Sequence, residues 1–138
     1  VYLLDTCVIS ELTKLAPHRR VVEWLNQHEE QSYFLSVLTL GEIEKGITQL
    51  PESKKKKRIR SWFENEMLQR FAGRILDVDE RVARVWGRIQ GEAQRKGVPI
   101  PTIDALLAAT AQAHSLKLVT RNNADSTKCN SRSKVRVC

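Results

Sequence analysis

The sequence is poor in the residues that staple small proteins together. Its three cysteines, Cys7, Cys129 and Cys138, are odd in number and show no Cys-x-x-Cys spacing. That argues against a disulfide framework and a structural zinc site, and it fits a reducing compartment. Long apolar runs are also missing. The longest, around Ala105 to Ala109, falls far short of the roughly 20 residues of a bilayer crossing. No charged-then-apolar leader precedes Tyr2, so a cytoplasmic protein without membrane contact is expected. No internal repeat or interdomain linker interrupts the 138 residues, and the 41% apolar content suits a single domain, 1–138, with its own core.

What is abundant is positive charge, and it is unevenly placed. Lys54, Lys55, Lys56, Lys57, Arg58 and Arg60 form a run without an acid, and Lys128, Arg132, Lys134 and Arg136 repeat this in the tail. Without those ten the remaining chain carries −3 instead of the overall +7. Such patches attract phosphate backbones by releasing counterions, and the 54–58 run is a candidate nucleic-acid contact. A solvated helix face explains the same run.

Tyr2 to Leu4, Tyr33 to Leu35, Arg74 to Leu76 and Lys117 to Thr120 read as short buried strands. Between them apolar residues recur at helical spacing: Val8, Ile9, Leu12 and Leu15; Val21, Val22, Trp24 and Leu25; Ile43 and Ile47 from a start at Thr39. A long basic helix follows from about Ser53 to Phe71, with Ile59, Trp62, Phe63 and Met67 inward. Another helix carries Val82, Val85, Trp86 and Ile89 behind a cap at Asp79, and after the break at 97–101 a buried helix spans Thr102 to His114. Val135 and Val137 offer the only strand-like alternation in the tail. Strands alternating with helices predict an α/β fold, three layers deep, around a mostly parallel sheet of four or five strands.

In such sheets ligands bind beyond the carboxyl ends of the strands. Asp5 closes the first strand, Glu42 is placed in the first turn of the helix after the second, Asp104 is early on the helix from Pro101, and Asp125 follows the strand ending at Thr120. Each has a plainer explanation: a cap at Asp5, a capping box Thr39-Leu40-Gly41-Glu42, a first-turn charge at Asp104, a turn at Asp125. Glu11 could support Asp5 from one helical turn away, although a surface position, or an indirect supporting role behind the site, is the simpler reading. Four acids converging on one rim need a shared reason, however. Two carboxylates 4 Å apart repel by about 4 kcal/mol at an effective dielectric near 20, so a cluster takes up protons or holds a cation. Hard oxygens suit Mg²⁺, with Mn²⁺ as a substitute, and such an ion activates water against a phosphodiester.

The stretch Leu3-Leu4-Asp5-Thr6-Cys7-Val8-Ile9-Ser10-Glu11 resembles the opening of PIN-domain ribonucleases, in the branch of VapC- and FitB-like toxins. Leu35-Ser36 through Thr39-Leu40-Gly41-Glu42, then Pro101 to Ala111, then Leu118-Val119-Thr120-Arg121-Asn122 resemble its later motifs in order. The resemblance implies a Mg²⁺-dependent endoribonuclease toxin, homodimeric and silenced by an antitoxin protein. It assigns Asp5, Glu42 and Asp104 to a catalytic metal centre, Asp125 to a frequent fourth acid, and Thr6, Thr120 and Asn122 to orienting roles. The implied substrate is structured RNA, transfer or ribosomal, with DNA met only through the antitoxin. Two departures stand out: Cys7 where Asn is frequent, and a polar 126–138 tail where an aromatic residue and an apolar last strand are expected. They support an alternative, an impaired PIN-like domain that binds RNA or antitoxin without cutting. Phosphoacceptor α/β domains fit less well, since one needs adjacent acids after its first strand and another an Asp where Cys7 stands. A Cys7–His114 nucleophilic pair is conceivable, but helix-end capping explains His114, and packing explains Cys7, more simply.

Overall fold

A computed structural model describes residues 1–121 and the backbone of 134–136. Asn122, Asp125, Cys129, Cys138 and the remaining tail lie outside the described residues.

Strands β1 (Tyr2–Leu4), β2 (Tyr33–Ser36), β3 (Ile75–Leu76), β4 (Lys117–Thr120) and β5 (Lys134–Arg136) form one sheet in the order β3-β2-β1-β4-β5. Every neighbouring pair is parallel. The expected four or five strands are therefore five, and the last pairs Lys134 to Arg136 with β4. The helices are α1 (Thr6–Glu11), α2 (Arg19–Asn26), α3 (Val37–Gln49), α4 (Lys54–Trp62), α5 (Leu68–Arg70), α6 (Glu80–Arg95) and α7 (Thr102–Ala113).

Alternation along the strands divides the core between two faces. Leu4 and its register partner Val119 pack with Val8, Ile9, Val21, Ile43, Ile47 and Phe63, on the side of α1 to α5. Leu3 and Leu118, one residue back, pack with Leu107 and Ala111 of α7. Leu3, Leu4 and Val119 are fully buried, because a parallel sheet needs cover on both faces. Helix α6 lies against α7, with Val82 and Val85 meeting Ala109 and Ala113.

Three local expectations need correction. Helix α1 stops at Glu11 with Leu12 as its cap, which leaves Leu15 outside the apolar stripe and 86% exposed. Helix α3 begins at Val37, not Thr39, because the Ser36 hydroxyl caps it by accepting from the Leu38 amide at 3.1 Å. Glu42 is consequently in the second turn and belongs to no capping box. The basic helix is interrupted by a π-helical turn at Phe63–Met67. Its buried residues Ile59, Phe63, Met67 and Phe71 repeat every fourth position, a spacing that drifts about 40° per step around an α-helix of 3.6 residues per turn. The wider turn takes up that drift.

Other expectations stand as read. Asp79 caps α6 by accepting from the Val82 amide at 2.9 Å. Arg74 begins the third strand region buried at 8% exposure, donating to the Tyr33 carbonyl at 2.7 Å and to the carbonyls of Glu30 and Arg70. It ties the entry of β3 to the entry of β2.

Candidate functional site

In the order β3-β2-β1-β4-β5 the chain winds outward on one side of β1 and then crosses to the other. The crevice between the carboxyl ends of β1 and β4 is therefore the topological switch point, where open α/β sheets bind ligands. Asp5 lies at this point. Its backbone N–H donates to the Val119 carbonyl at 2.9 Å, and its own carbonyl accepts from Val8 and Ile9 to start α1. Its side chain makes no capping bond, which removes the plainer explanation for that acid. Asp5 Oδ2 instead accepts the Thr120 hydroxyl at 2.8 Å and the Cys7 thiol at 3.3 Å. Among the described residues Oδ1 accepts no hydrogen bond.

Glu42 reaches the same rim from α3. Thr6 Oγ1, next in sequence to Asp5, is 2.6 Å from Glu42 Oε1 and 3.1 Å from Thr39 Oγ1. Thr6 has one proton, so it serves the carboxylate, where a charge-assisted bond is stronger, and Thr39 supplies the proton of the longer contact. Asp104 is in the first turn of α7. The residue before it, Ile103, packs against the buried cluster of Leu3, Leu107 and Leu118, as does Leu38 of the first turn of α3. The first-turn position of Asp104 also suits the helix dipole.

The hydroxyl-braced carboxylates form an oxygen-only donor set. Among the described residues no three Asp, Glu, His or Cys side chains close around one ion-sized space. Mg²⁺ does not demand that: it is commonly held by one or two carboxylates, keeping several waters and meeting substrate phosphate. Asp5 Oδ1 and Glu42 Oε2, both without hydrogen-bond partners among the described residues, fit such an ion.

Cys7 is a donor here and not a nucleophile. Burial, and then the Asp5 carboxylate, push its thiol up from the usual value, so it stays protonated at neutral pH. Its sulfur meets Asp5, Thr120 Oγ1 at 3.5 Å and the Arg121 amide at 3.3 Å. Those contacts do not include His114, which ends α7 as its C-cap.

Two residues carry more than their sequence positions suggested. Glu11 is buried, and it binds Lys14 Nζ at 2.9 Å, the His18 amide at 2.9 Å and the Arg121 guanidinium, not Asp5. Burial pulls its carboxyl up, but these donors and the Arg121 charge outweigh that and hold it below the ordinary range. Arg121 sits inside the quoted Thr120-Arg121-Asn122 stretch, yet nothing local pairs it with a residue 110 positions earlier.

Beside Glu42 runs a groove of about 760 Å³ between α1, α3 and α4. Ile43, Ile47, Leu50 and Ile59 give it an apolar floor, and Lys14, Lys54, Lys55 and Arg58 stand around it. Of the apolar residues that could have served either as core or as a partner groove, Leu25 belongs to the core cluster and Trp62 packs against it, while Val22 is half-buried. The basic run is only partly available: Lys56 is tied to Glu52 and the Leu50 carbonyl, Arg58 to the Thr13 carbonyl, and Arg60 to Glu44. Lys54, Lys55 and Lys57 remain exposed cations. Besides the 54–60 run and the tail, sequence reading missed a further basic stretch, Arg81, Arg84 and Arg88 along α6, beside Glu80.

A parallel three-layer α/β domain with hydroxyl-braced carboxylates, Asp5 and Glu42, at the carboxyl ends of its strands defines a class of protein. Residues 2–126 match the PIN domain, and the chain belongs to that family. It is 41% identical to toxin FitB of Neisseria gonorrhoeae over 120 residues, covering 87% of this chain and 86% of the relative. It is 34% identical to a VapC ribonuclease of Sinorhizobium fredii over 120 residues, with coverage of 87% and 86%. A solved structure of FitAB bound to a DNA fragment superimposes with a TM-score of 0.89 at 35% identity, covering 99% of this chain and 94% of that one.

Proposed function

We propose that this chain is a Mg²⁺-dependent endoribonuclease toxin of a toxin–antitoxin pair, acting in the cytoplasm as a homodimer. The observation that carries the reading is the orientation of Asp5 at the switch point, one oxygen held by Thr120 and Cys7 and the other without a hydrogen bond from the described residues, with Glu42 braced through Thr6. The names of its relatives, a toxin and a ribonuclease, support the same conclusion.

Asp5, Glu42 and Asp104 would hold the ion, with Asp125 as a fourth acid and Asn122 orienting substrate, as the family pattern implies. When bound, a divalent ion supplies an acidified water and neutralises charge building on a phosphodiester. The chain's own part is geometric. Thr6 and Thr120 fix carboxylates that would otherwise repel and swing apart, and the Lys54, Lys55 and Lys57 ammonium groups draw the RNA backbone towards the rim. Structured RNA, transfer or ribosomal, is the substrate class. The groove beside Glu42 suits an amphipathic antitoxin segment, apolar against Ile43 and Ile47 and acidic towards its basic rim. DNA is reached only through that partner; the related FitAB assembly is one solved bound to a DNA fragment.

Purified protein and end-labelled structured RNA test the reading. Cleavage should require Mg²⁺ or Mn²⁺, stop with EDTA, and fall at least about 100-fold in Asp5→Asn and Glu42→Gln, the scale of removing a group that holds the transition-state charge. RNA that binds but survives intact with either ion would favour the impaired, binding-only domain.

A further inference from the structure

Glu11 is the one carboxylate among the described residues that is buried, at 4% exposure. A buried carboxylate needs hydrogen bonds and a counter-charge. Lys14 and the His18 amide, both close in sequence, supply a bond and a charge. Arg121 is the partner that comes from across the fold, on the residue that directly follows β4. Its backbone is held as well, since the Arg121 amide donates to Cys7 Sγ at 3.3 Å. The contacts then run in series: Glu11 to Arg121, Arg121 to Cys7, and Cys7 together with Thr120 to Asp5 Oδ2.

We propose that Glu11 and Arg121 are a positioning pair: their ion pair fixes the end of β4 against α1, so that Cys7 and Thr120 both donate to Asp5 Oδ2 and leave Oδ1 for the divalent ion. The proposal rests on the metal-dependent reading above and adds which residues set the geometry of that site. Two donors converging on one oxygen fix the plane of the Asp5 carboxylate and leave its other oxygen as the one an ion would meet. Loosening the end of β4 removes that restraint without touching any ligand atom. Groups that orient a metal ligand from behind commonly change metal affinity by 10- to 100-fold when lost.

The experiment is Mn²⁺ binding to the intact protein without RNA, by calorimetry or Mn²⁺ electron paramagnetic resonance, together with thermal melting. Glu11→Gln is expected to weaken Mn²⁺ binding about tenfold, and cleavage should recover at saturating Mn²⁺, so that the metal requirement shifts and kcat does not. Glu30→Gln breaks a more exposed ion pair at the entry ends of β2 and β3, Glu30 with Arg70 at 2.6 Å, and should lower the melting temperature while leaving Mn²⁺ affinity within twofold. If Glu11→Gln fails to fold, Cys7→Ala and Cys7→Ser answer the same question: Ala should weaken Mn²⁺ binding and Ser, which keeps a donor, should restore it. Mn²⁺ affinity unchanged in Glu11→Gln, or equal in Cys7→Ala and Cys7→Ser, overturns the positioning role while the metal reading survives. Wild-type protein that binds no more Mn²⁺ than Asp5→Asn overturns both.

Discussion

At Asp5 the backbone carbonyl closes the first turn of α1, accepting from Val8 and Ile9, and the carboxylate is thereby left to the Thr120 hydroxyl and the Cys7 thiol. Thr120 is 4% exposed, so its hydroxyl has little access to water once that acceptor is lost. Thr120→Val keeps the shape and removes the donor. It should cost about 1.5–3 kcal/mol of orientation at the carboxylate, the worth of a hydrogen bond to a charged group, and appear as a loss of cleavage of roughly 10- to 100-fold with the far-ultraviolet spectrum unchanged. Asp5 was legible in the sequence because an acid directly after a buried apolar triplet has few other places to be. Glu42 was found but placed one turn early, since Thr39 and Glu42 imitate a capping box while Ser36, three residues before Thr39, takes the cap. The Glu11–Arg121 pair was not legible at all: local sequence carries no record of which charge meets which across 110 residues.

The elements themselves are set by simpler rules, and their positions were readable wherever one face is strongly apolar. β4 and α7 fall where alternation and the Ala/Leu stripe put them. The π-turn in the α4–α5 stretch did not show, because an every-fourth-residue stripe looks like an ordinary helix until its drift is measured against the core. At the β2–β3 edge, Arg70 grips Glu30 through two bonds of 2.6 and 2.9 Å, and buried Arg74 adds a third at 3.4 Å. The Arg70 hydrogen bond, with both guanidinium charges helping, outweighs partial burial and holds the Glu30 carboxyl below its ordinary value. A carboxyl depressed in the folded state adds stability that is complete above its unfolded pKa, near 4.3, and is lost as pH falls through the lower folded value. Thermal midpoints measured from pH 6 down to pH 3 should therefore fall less steeply in Glu30→Gln than in the wild type. Parallel curves would mean that the pair is too solvent-screened to matter.

At the scale of the molecule, an acidic rim stands beside one basic surface, and a second lies along α6. Lys54 and Lys55 are exposed cations lining the groove beside Glu42, and Lys57 is exposed on the same helix; on α6 the cations are Arg81, Arg84 and Arg88. With EDTA present to stop cutting, changing the three lysines to Gln should lower the slope of log affinity for RNA against log salt by about 2, at roughly 0.7 per phosphate contact on single strands. An unchanged slope would leave α4 to the protein partner, and the same substitution on the three arginines tells whether RNA follows α6 instead. The rim has one further consequence. Asp5 and Thr120 are 115 residues apart, and the N-terminal portion emerges from the ribosome well before β4 does. A nascent chain thus carries its first acid early but gains the clamp around it only once β4 has been made, so, on the nuclease reading, a polypeptide cut short before β4 should be catalytically silent.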